Sequence, residues 1–472
     1  MKLSLLLATS ASAFAALPSV GPDYMRPVVD APAAYHDSDN SGAWKTAEPA
    51  DATIRGEWWK LFGDPTLDTL ETRALAANQD LRAAAARVEQ ARAAAGLARS
   101  TYWPQVAANP SLTREQTSTT TDNSPPNSLS TTYRAPLVAS WEIDLFGRVR
   151  RLNESALADA ESSAATFEAV RLALTAEVAA THFSLCGLDR ELALVRDTAA
   201  LRRRALDLVA ARLKSGTAAE FDVARAETEL ASAEADTAAI ANRRVALQNA
   251  LAVLVGAQAS DFALPAVAVS SALPPSIPSG LPADLLERRP DIAAAERALA
   301  SANARIGVAK AAFFPAISLT GGAGFASGDI DRLFNSDSRA WSLGPSLYLP
   351  IFQGGRNRAN LARSRAAYDE SVAIFRQRVL VAFREVQDAL TATRLLAEQS
   401  AAQDRALVSA QRAAKLAQTR YDAGYVAYIE VIDAQRTALA TERASVQLTA
   451  ERLNTSVALM KSLGGGWRNT PL

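Results

Sequence analysis

The feature that most limits the fold is that this chain is written twice. STYWPQV at 100–106 and AAFFPAI at 311–317 each follow an Ala-rich segment and set two aromatics directly before a proline. Aligned on those prolines, Asp80-Leu81 falls on Asp291-Ile292, Gly96 on Gly307 and Arg99 on Lys310 without a gap. After small insertions, Leu145-Phe146 meets Ile351-Phe352, Gly216 meets Gly424 and Gly256 meets Gly464. A repeat this long is one structural unit used twice, so the order of elements in one half applies to the other.

That order is a moderate helix ending at the aromatic-Pro pair, two alternating segments, then two much longer helical segments. No proline interrupts the chain between Pro136 and Pro265 or between Pro350 and Pro471. Tyr368, Val372, Phe375, Val379, Phe383, Val386 and Leu390 recur at steps of three and four, as do Phe167, Val170, Leu174, Val178, Leu185, Leu188 and Leu192. This is the apolar stripe of an amphipathic or coiled-coil helix. Unbroken helices over 148–214 and 356–422 would each reach roughly 100 Å. They predict antiparallel coiled-coil hairpins that turn at Gly216 and Gly424, where a left-handed backbone is available.

The alternating segments predict strands. Tyr133, Ala135, Leu137, Ala139, Trp141 and Ile143 share one face, against Arg134, Ser140, Glu142 and Asp144 on the other. Trp341, Leu343, Leu347, Leu349 and Ile351 repeat the pattern, and Val106, Leu112, Ile317, Leu319 and Phe325 face away from polar neighbours. Alternation alone fits a lipid-facing barrel wall, a soluble two-sheet sandwich or a small capping sheet. Pro110, Pro136 and Pro345 are out of place inside a ladder. A barrel needs about eight strands to close, so a membrane reading of four strands requires several copies. Trp103-Pro104 and Phe314-Pro315 are the helix-to-strand breakpoints, since the residue before proline is pushed out of the helical region. Aromatics there suit a membrane–water interface.

Composition excludes other classes. Fifty Lys and Arg balance fifty Asp and Glu, leaving no basic footprint for nucleic acid. One cysteine, Cys186, rules out an intrachain disulfide framework. His182 and Cys186, one turn apart, form at most half a metal site and read as core residues. The glycines at 321, 322 and 324 open no helix and so make no phosphate loop. No catalytic constellation and no cofactor motif appears, so the chain is not expected to be an enzyme. Residues 1–16 read as a secretory signal, and no run of about 18 apolar residues follows.

WEIDLFGRVRR at 141–151, LLERRPDIAAAERALASANARIGVAKAAFFPAISLTGG at 285–322 and LGGGW at 463–467 resemble the TolC-like outer-membrane efflux channels. VGPDYMRP at 20–27 is similar to the start of the mature chain in the lipoprotein branch that serves resistance–nodulation–division (RND) pumps. The resemblance implies a mostly α chain with a β-barrel part. A homotrimer would complete a twelve-stranded barrel in the outer membrane of a Gram-negative bacterium, continued by a helical tunnel through the periplasm. It also implies a passive exit duct for small molecules such as drugs, with a periplasmic adaptor protein, an inner-membrane RND-type pump and outer-membrane lipid as partners. That branch carries a lipidated cysteine before its VGPDY segment; here Pro18 and Ser19 stand there, so no lipid anchor is expected.

The expected division is signal peptide 1–16, extended segment 17–64, first repeat 65–265, Pro-rich linker 266–282, second repeat 283–467 and tail 468–472. Strands are expected over about 104–117, 130–145, 315–327 and 340–352. The resemblance places Glu430 and Asp433 at the acidic constriction of the tunnel, and matches Asp222 and Tyr421 to partners that hold its end closed. Val426 stands where that lock has an arginine, so part of the lock is expected to be either missing or rebuilt by Arg225 or Arg436. Gly216 and Gly424, with Arg212 and Arg420 before them, mark the region where the adaptor docks.

Overall fold

The computed structural model describes residues 19–28, 56–118, 129–266 and 289–465. The signal-peptide reading, and nearly all of the Pro-rich linker, lie outside the described residues. Twelve principal elements follow one another: α1 (Pro65–Ala77), α2 (Gln79–Ser100), β1 (Gln105–Ala108), β2 (Ser111–Gln116), β3 (Leu129–Ile143), α3 (Arg148–Lys214), α4 (Glu220–Leu254), α5 (Pro290–Ala311), β4 (Ala316–Ser327), β5 (Arg339–Tyr348), α6 (Arg356–Asp422) and α7 (Tyr428–Ser462). The repeat is explicit in the helices: α3 and α6 each have 67 residues, and α4 and α7 each have 35. No helix among the described residues is long and apolar enough to cross a membrane.

The chain divides into two compact units. The first draws on Met1–Val28, Arg87–Ala164 and Ala294–Arg376. It holds a five-stranded antiparallel sheet in the order β1-β3-β4-β5, with β2 also paired to β3. The strand expected over 104–117 is corrected to two pieces. Ala108 lies opposite Leu137 and Ser111 opposite Arg134, so the register runs on unchanged across the break. The break is chemical: Pro110 has no N–H to give, and neither does Pro136, which lies across from Asn109. Asn109 N–H bridges the gap to the Pro136 carbonyl at 3.1 Å. Pro136 itself is admitted because Gly324 faces it; a Cβ there would lie 2.6 Å from the Pro136 Cα. The last strand ends at Tyr348, short of 352.

Registers sort the faces. Opposed residues on antiparallel strands point to the same side. Leu137 with Ala323, Trp141 with Leu319, Ile317 with Leu347 and Ala323 with Trp341 build one apolar face. Ser140 with Thr320, and Ser318 with Ser346, build the polar one, where the two serine hydroxyls of the second pair meet at 2.6 Å. The apolar face is most open on β5, where Trp341 is 81% exposed, and is half-buried at Trp141, Ile317 and Leu319.

The second unit draws on Val29–Ala86, Ala165–Ala293 and Gln377–Leu472. Its core gathers Trp58, Phe62, Leu67, Leu70, Val178, Phe183, Leu251, Val386 and Leu453. Asp64 caps α1 by accepting from Thr66 N–H at 2.8 Å and Leu67 N–H at 3.1 Å. Its other oxygen meets His182 Nε2 at 2.7 Å. At the end of α4, Gly256 has φ +70, and a Cβ there would lie 2.5 Å from the Ala77 carbonyl oxygen. Left-handed strain and a backbone clash then add, so Gly256→Ala should cost about 2–4 kcal/mol. Gly216→Ala, with φ +73 and open space around it, should cost only about 1 kcal/mol. Thermal unfolding in detergent distinguishes the two.

Candidate functional site

The two hairpin turns are built alike. Thr217 N–H reaches back to the Arg212 carbonyl and Gly216 N–H to that of Leu213, both at 2.9 Å. Tyr425 to Arg420 and Gly424 to Tyr421 repeat those two bonds, again at 2.9 Å. This double closure needs a left-handed residue, and Gly216 and Gly424 supply it. Arg212 and Arg420 thus give their carbonyls to the turns, leaving their guanidiniums to act elsewhere.

Arg212 uses its guanidinium to join the two hairpins. Its Nη1 donates to the Tyr421 hydroxyl at 2.6 Å, and its Cζ lies 5.0 Å from the centre of that ring. Tyr428 packs against Tyr421 with ring centres 5.4 Å apart. Burial, then the neighbouring Tyr421, raises the Tyr428 phenol above its ordinary value. Asp222 and Tyr421, expected as partners in a lock, make no hydrogen bond to each other. Asp222 instead accepts from Ala219 N–H at 3.3 Å, at the start of its own helix. A short acidic side chain in a first turn finds that partner at almost no entropic cost, and the helix dipole favours it.

The acidic pair is placed as its spacing implies. Glu430 and Asp433 are both exposed on the first turns of α7. Asp433 has Arg225 at 3.9 Å, a loose pair across the hairpins. Arg436 does not face Asp433; it joins Arg202 on the buried carboxylate of Glu229. Glu229, Arg202 and Tyr428 were missed by sequence reading. They come from three helices, and no local spacing announces that they meet.

At the other end of the long helices, the breakpoints divide. Trp103 is 58% exposed after a final turn in which its N–H bonds to the Ser100 carbonyl at 3.1 Å. Phe314 turns inward and stacks on Phe146, ring centres 4.9 Å apart. Phe313 is the exposed aromatic of that pair. Pro104 and Pro315 stand directly before β1 and β4.

The His182 and Cys186 pair is a core feature. His182 is fully buried against Asp64. Burial would raise the Asp64 carboxyl, but His182 and the two backbone donors outweigh it and hold it below its ordinary value. Burial, with Asp64 and Asp189 nearby, pushes the Cys186 thiol up to about 12, so it is no nucleophile at neutral pH. Among the described residues no cluster of His, Cys, Asp or Glu is arranged to hold a metal ion.

The arrangement of a one-sided sheet and paired helical hairpins has known counterparts. The family described as "Outer membrane efflux protein" matches residues 70–257 and 281–465. The solvent efflux pump outer membrane protein SrpC of Pseudomonas putida is 37% identical over 453 residues, 95% of each chain. The cation efflux system protein CusC of Escherichia coli is 34% identical over 451 residues, 95% of this chain and 96% of that one. A crystal structure of a membrane protein from Pseudomonas aeruginosa superposes with a TM-score of 0.87 at 35% identity, covering 95% of this chain and 98% of that one. Sheet, hairpins and repeat order are matched along nearly the whole length, and the chain belongs to the outer membrane efflux protein family.

Proposed function

We propose that three copies of this chain close one twelve-stranded barrel in the outer membrane and form the exit duct of a tripartite efflux pump. The duct conducts small molecules such as drugs passively, once a periplasmic adaptor and an inner-membrane RND-type pump have docked. One observation carries this reading: the sheet has one apolar face, open at Val106, Leu112, Leu137, Trp341, Leu343 and Leu347, and, among the described residues, two edges without a strand partner, β1/β2 on one side and β5 on the other. An edge this long invites pairing with a second copy. With β1 and β2 counted as one interrupted strand, two copies give eight strands, a barrel filled by its own side chains. Three copies form the smallest ring that leaves a water-filled passage. Among relatives of nearly equal identity, SrpC is named for solvents and CusC for cations, so similarity does not select the cargo.

The acidic pair Glu430 and Asp433 is the proposed constriction, repeated by symmetry into two rings of like charge that favour cations. Tyr421, held by Arg212, and Asp222 support the closed end, and the adaptor docks around Gly216, Gly424, Arg212 and Arg420. Single-channel recording in a planar bilayer tests the reading. Wild type should give discrete cation-preferring steps, and Glu430→Ala with Asp433→Ala should enlarge them and lower the cation preference several-fold. Steps unchanged by the double variant would move the constriction away from this turn. Silence from both proteins, with a chain soluble without detergent, would remove the duct.

A further inference from the structure

We infer that the second repeat carries a binding surface for the phosphate headgroups of anionic phospholipid, at the rim where the sheet meets its helices. The inference rests on the membrane reading above and adds the lipid class and the residues.

The rim is defined by the strand registers. Ile143 opposite Ile317 and Ala316 opposite Tyr348 set the helical-side ends of β3, β4 and β5 level with one another, while Gln105, opposite Ser140, starts β1 three residues further in. Around it the first repeat neutralises two of its three matching cations, and Arg99, the counterpart of Lys310, has no ion pair among the described residues. Arg148 and Arg150, the first and third residues of α3, hold Glu142 at 2.5 Å and Asp144 at 3.2 Å. The second repeat has lost those partners. Arg356 and Arg358 occupy the same places in α6, but the positions matching Glu142 and Asp144 hold Tyr348 and Pro350. Arg356 and Arg358 are exposed, and neither has a side-chain partner among the described residues. Lys310 is also exposed and has no side-chain partner among the described residues. It lies two residues before Ala312, whose carbonyl accepts from Asn357 Nδ2 at 2.6 Å. That bond, made by the residue between the two arginines, sets the end of α5 beside the start of α6, the two helix ends that carry the three cations.

The apolar side chains complete the pattern. Ile351 and Phe352 are 92% and 90% exposed, whereas their counterparts Leu145 and Phe146 are half-buried. An apolar band followed directly by free cations is the order met on crossing from acyl chains into headgroups. A second copy of the chain would need carboxylates at this rim to answer the cations. Of those near it, Glu142 and Asp144 each hold a guanidinium, and Asp23 and Glu154 share that of Arg151. The occupant therefore brings its own negative charge, and an anionic phospholipid supplies both acyl chain and phosphate.

Native mass spectrometry of the full-length detergent-purified protein tests this, with phosphatidylglycerol and phosphatidylethanolamine as the added probes. Each basic side chain near an anionic surface is worth roughly fivefold in affinity. Wild type should retain phosphatidylglycerol in preference. Arg356→Gln with Arg358→Gln should lower that preference about tenfold or more. Arg356→Lys with Arg358→Lys should restore it, and Arg405→Gln with Arg412→Gln, far along the same helix, should leave it intact. Equal retention of the two lipids by wild type, or an unchanged preference in the Gln variant, overturns the inference. So does a Gln variant that loses its oligomeric mass while keeping the lipid, because the cations would then serve a neighbouring copy. Recording the same preparations in a planar bilayer separates the two readings. A silent channel that keeps the preference removes the duct and upholds the lipid surface.

Discussion

Replacing Glu71 by Met should raise the unfolding temperature by several degrees at pH 7 and by more at pH 8. Glu71 lies on the buried stripe of α1, four residues after Leu67 and three before Ala74, and is itself fully buried. Both of its carboxyl oxygens lack a hydrogen-bond partner among the described residues. Burial first, and the charge of Asp68 second, push its carboxyl from 4.5 to about 9. The folded state therefore keeps a proton that the unfolded chain gives up. Below pH 4.5 both states are protonated and the site costs nothing through ionisation. Between pH 4.5 and 9 the unfolded state binds fewer protons, so stability falls with rising pH at about 1.4 kcal/mol per unit. At pH 7 the penalty is on the order of 3 kcal/mol. Methionine has similar length, no charge and no polar atom to satisfy, so it should recover most of that. The decisive reading is the difference between the two proteins across pH 5 to 8. A difference independent of pH would mean that Glu71 is ionised in the fold and has a partner.

Much of the architecture was legible because it rests on periodicity. The three- and four-residue steps from Tyr368 to Leu390 mark a helix whose Phe375, Val379 and Val386 are buried. The period-2 faces of β3, β4 and β5 survive in the registers, since a slip of one residue would expose polar groups to the apolar side. The break at Asn109-Pro110 was signalled by proline but its harmlessness was not, because that depends on Gly324 lying opposite Pro136. The candidate site was legible as positions and not as partners. Glycine marks a turn wherever it falls, so Gly216 and Gly424 were visible. Arg212 finding Tyr421, and Asp222 turning back to Ala219, depend on how two hairpins pack, and no local spacing encodes that. Phe314 stacking inward while Phe313 faces out is likewise a choice made by Phe146.

The packing of the hairpin ends should fail first at Glu229. This carboxylate on α4 is almost completely buried and takes guanidiniums from two other helices, Arg202 of α3 and Arg436 of α7. Arg202 Nη1 also donates to the Glu229 backbone carbonyl at 2.9 Å, which fixes the approach. Glu229→Gln keeps the shape and removes the charge, leaving one guanidinium with little water to replace it. Breaking a buried pair from one side costs about 3–5 kcal/mol. The two arginines should not be equal. Arg202 has 13% of its side chain exposed and Arg436 has 52%, so Arg436 regains water when its partner goes and Arg202 does not. Arg202→Gln should therefore be the milder companion of Glu229→Gln only when both are made together, since the second change removes the stranded charge. Hydrogen exchange at the amides of residues 220–232 and 428–440 reads this directly. Exchange should quicken about a hundredfold or more in Glu229→Gln, and recover by about tenfold in the double variant. If the proposed constriction lies at these turns, the same Glu229→Gln protein should open spontaneously more often in a bilayer, because α4 and α7 carry Asp222, Glu430 and Asp433 at their first turns. Exchange that stays at the wild-type rate would show that the apolar contacts of Val431 and Ile432 hold the ends together without the ion pairs.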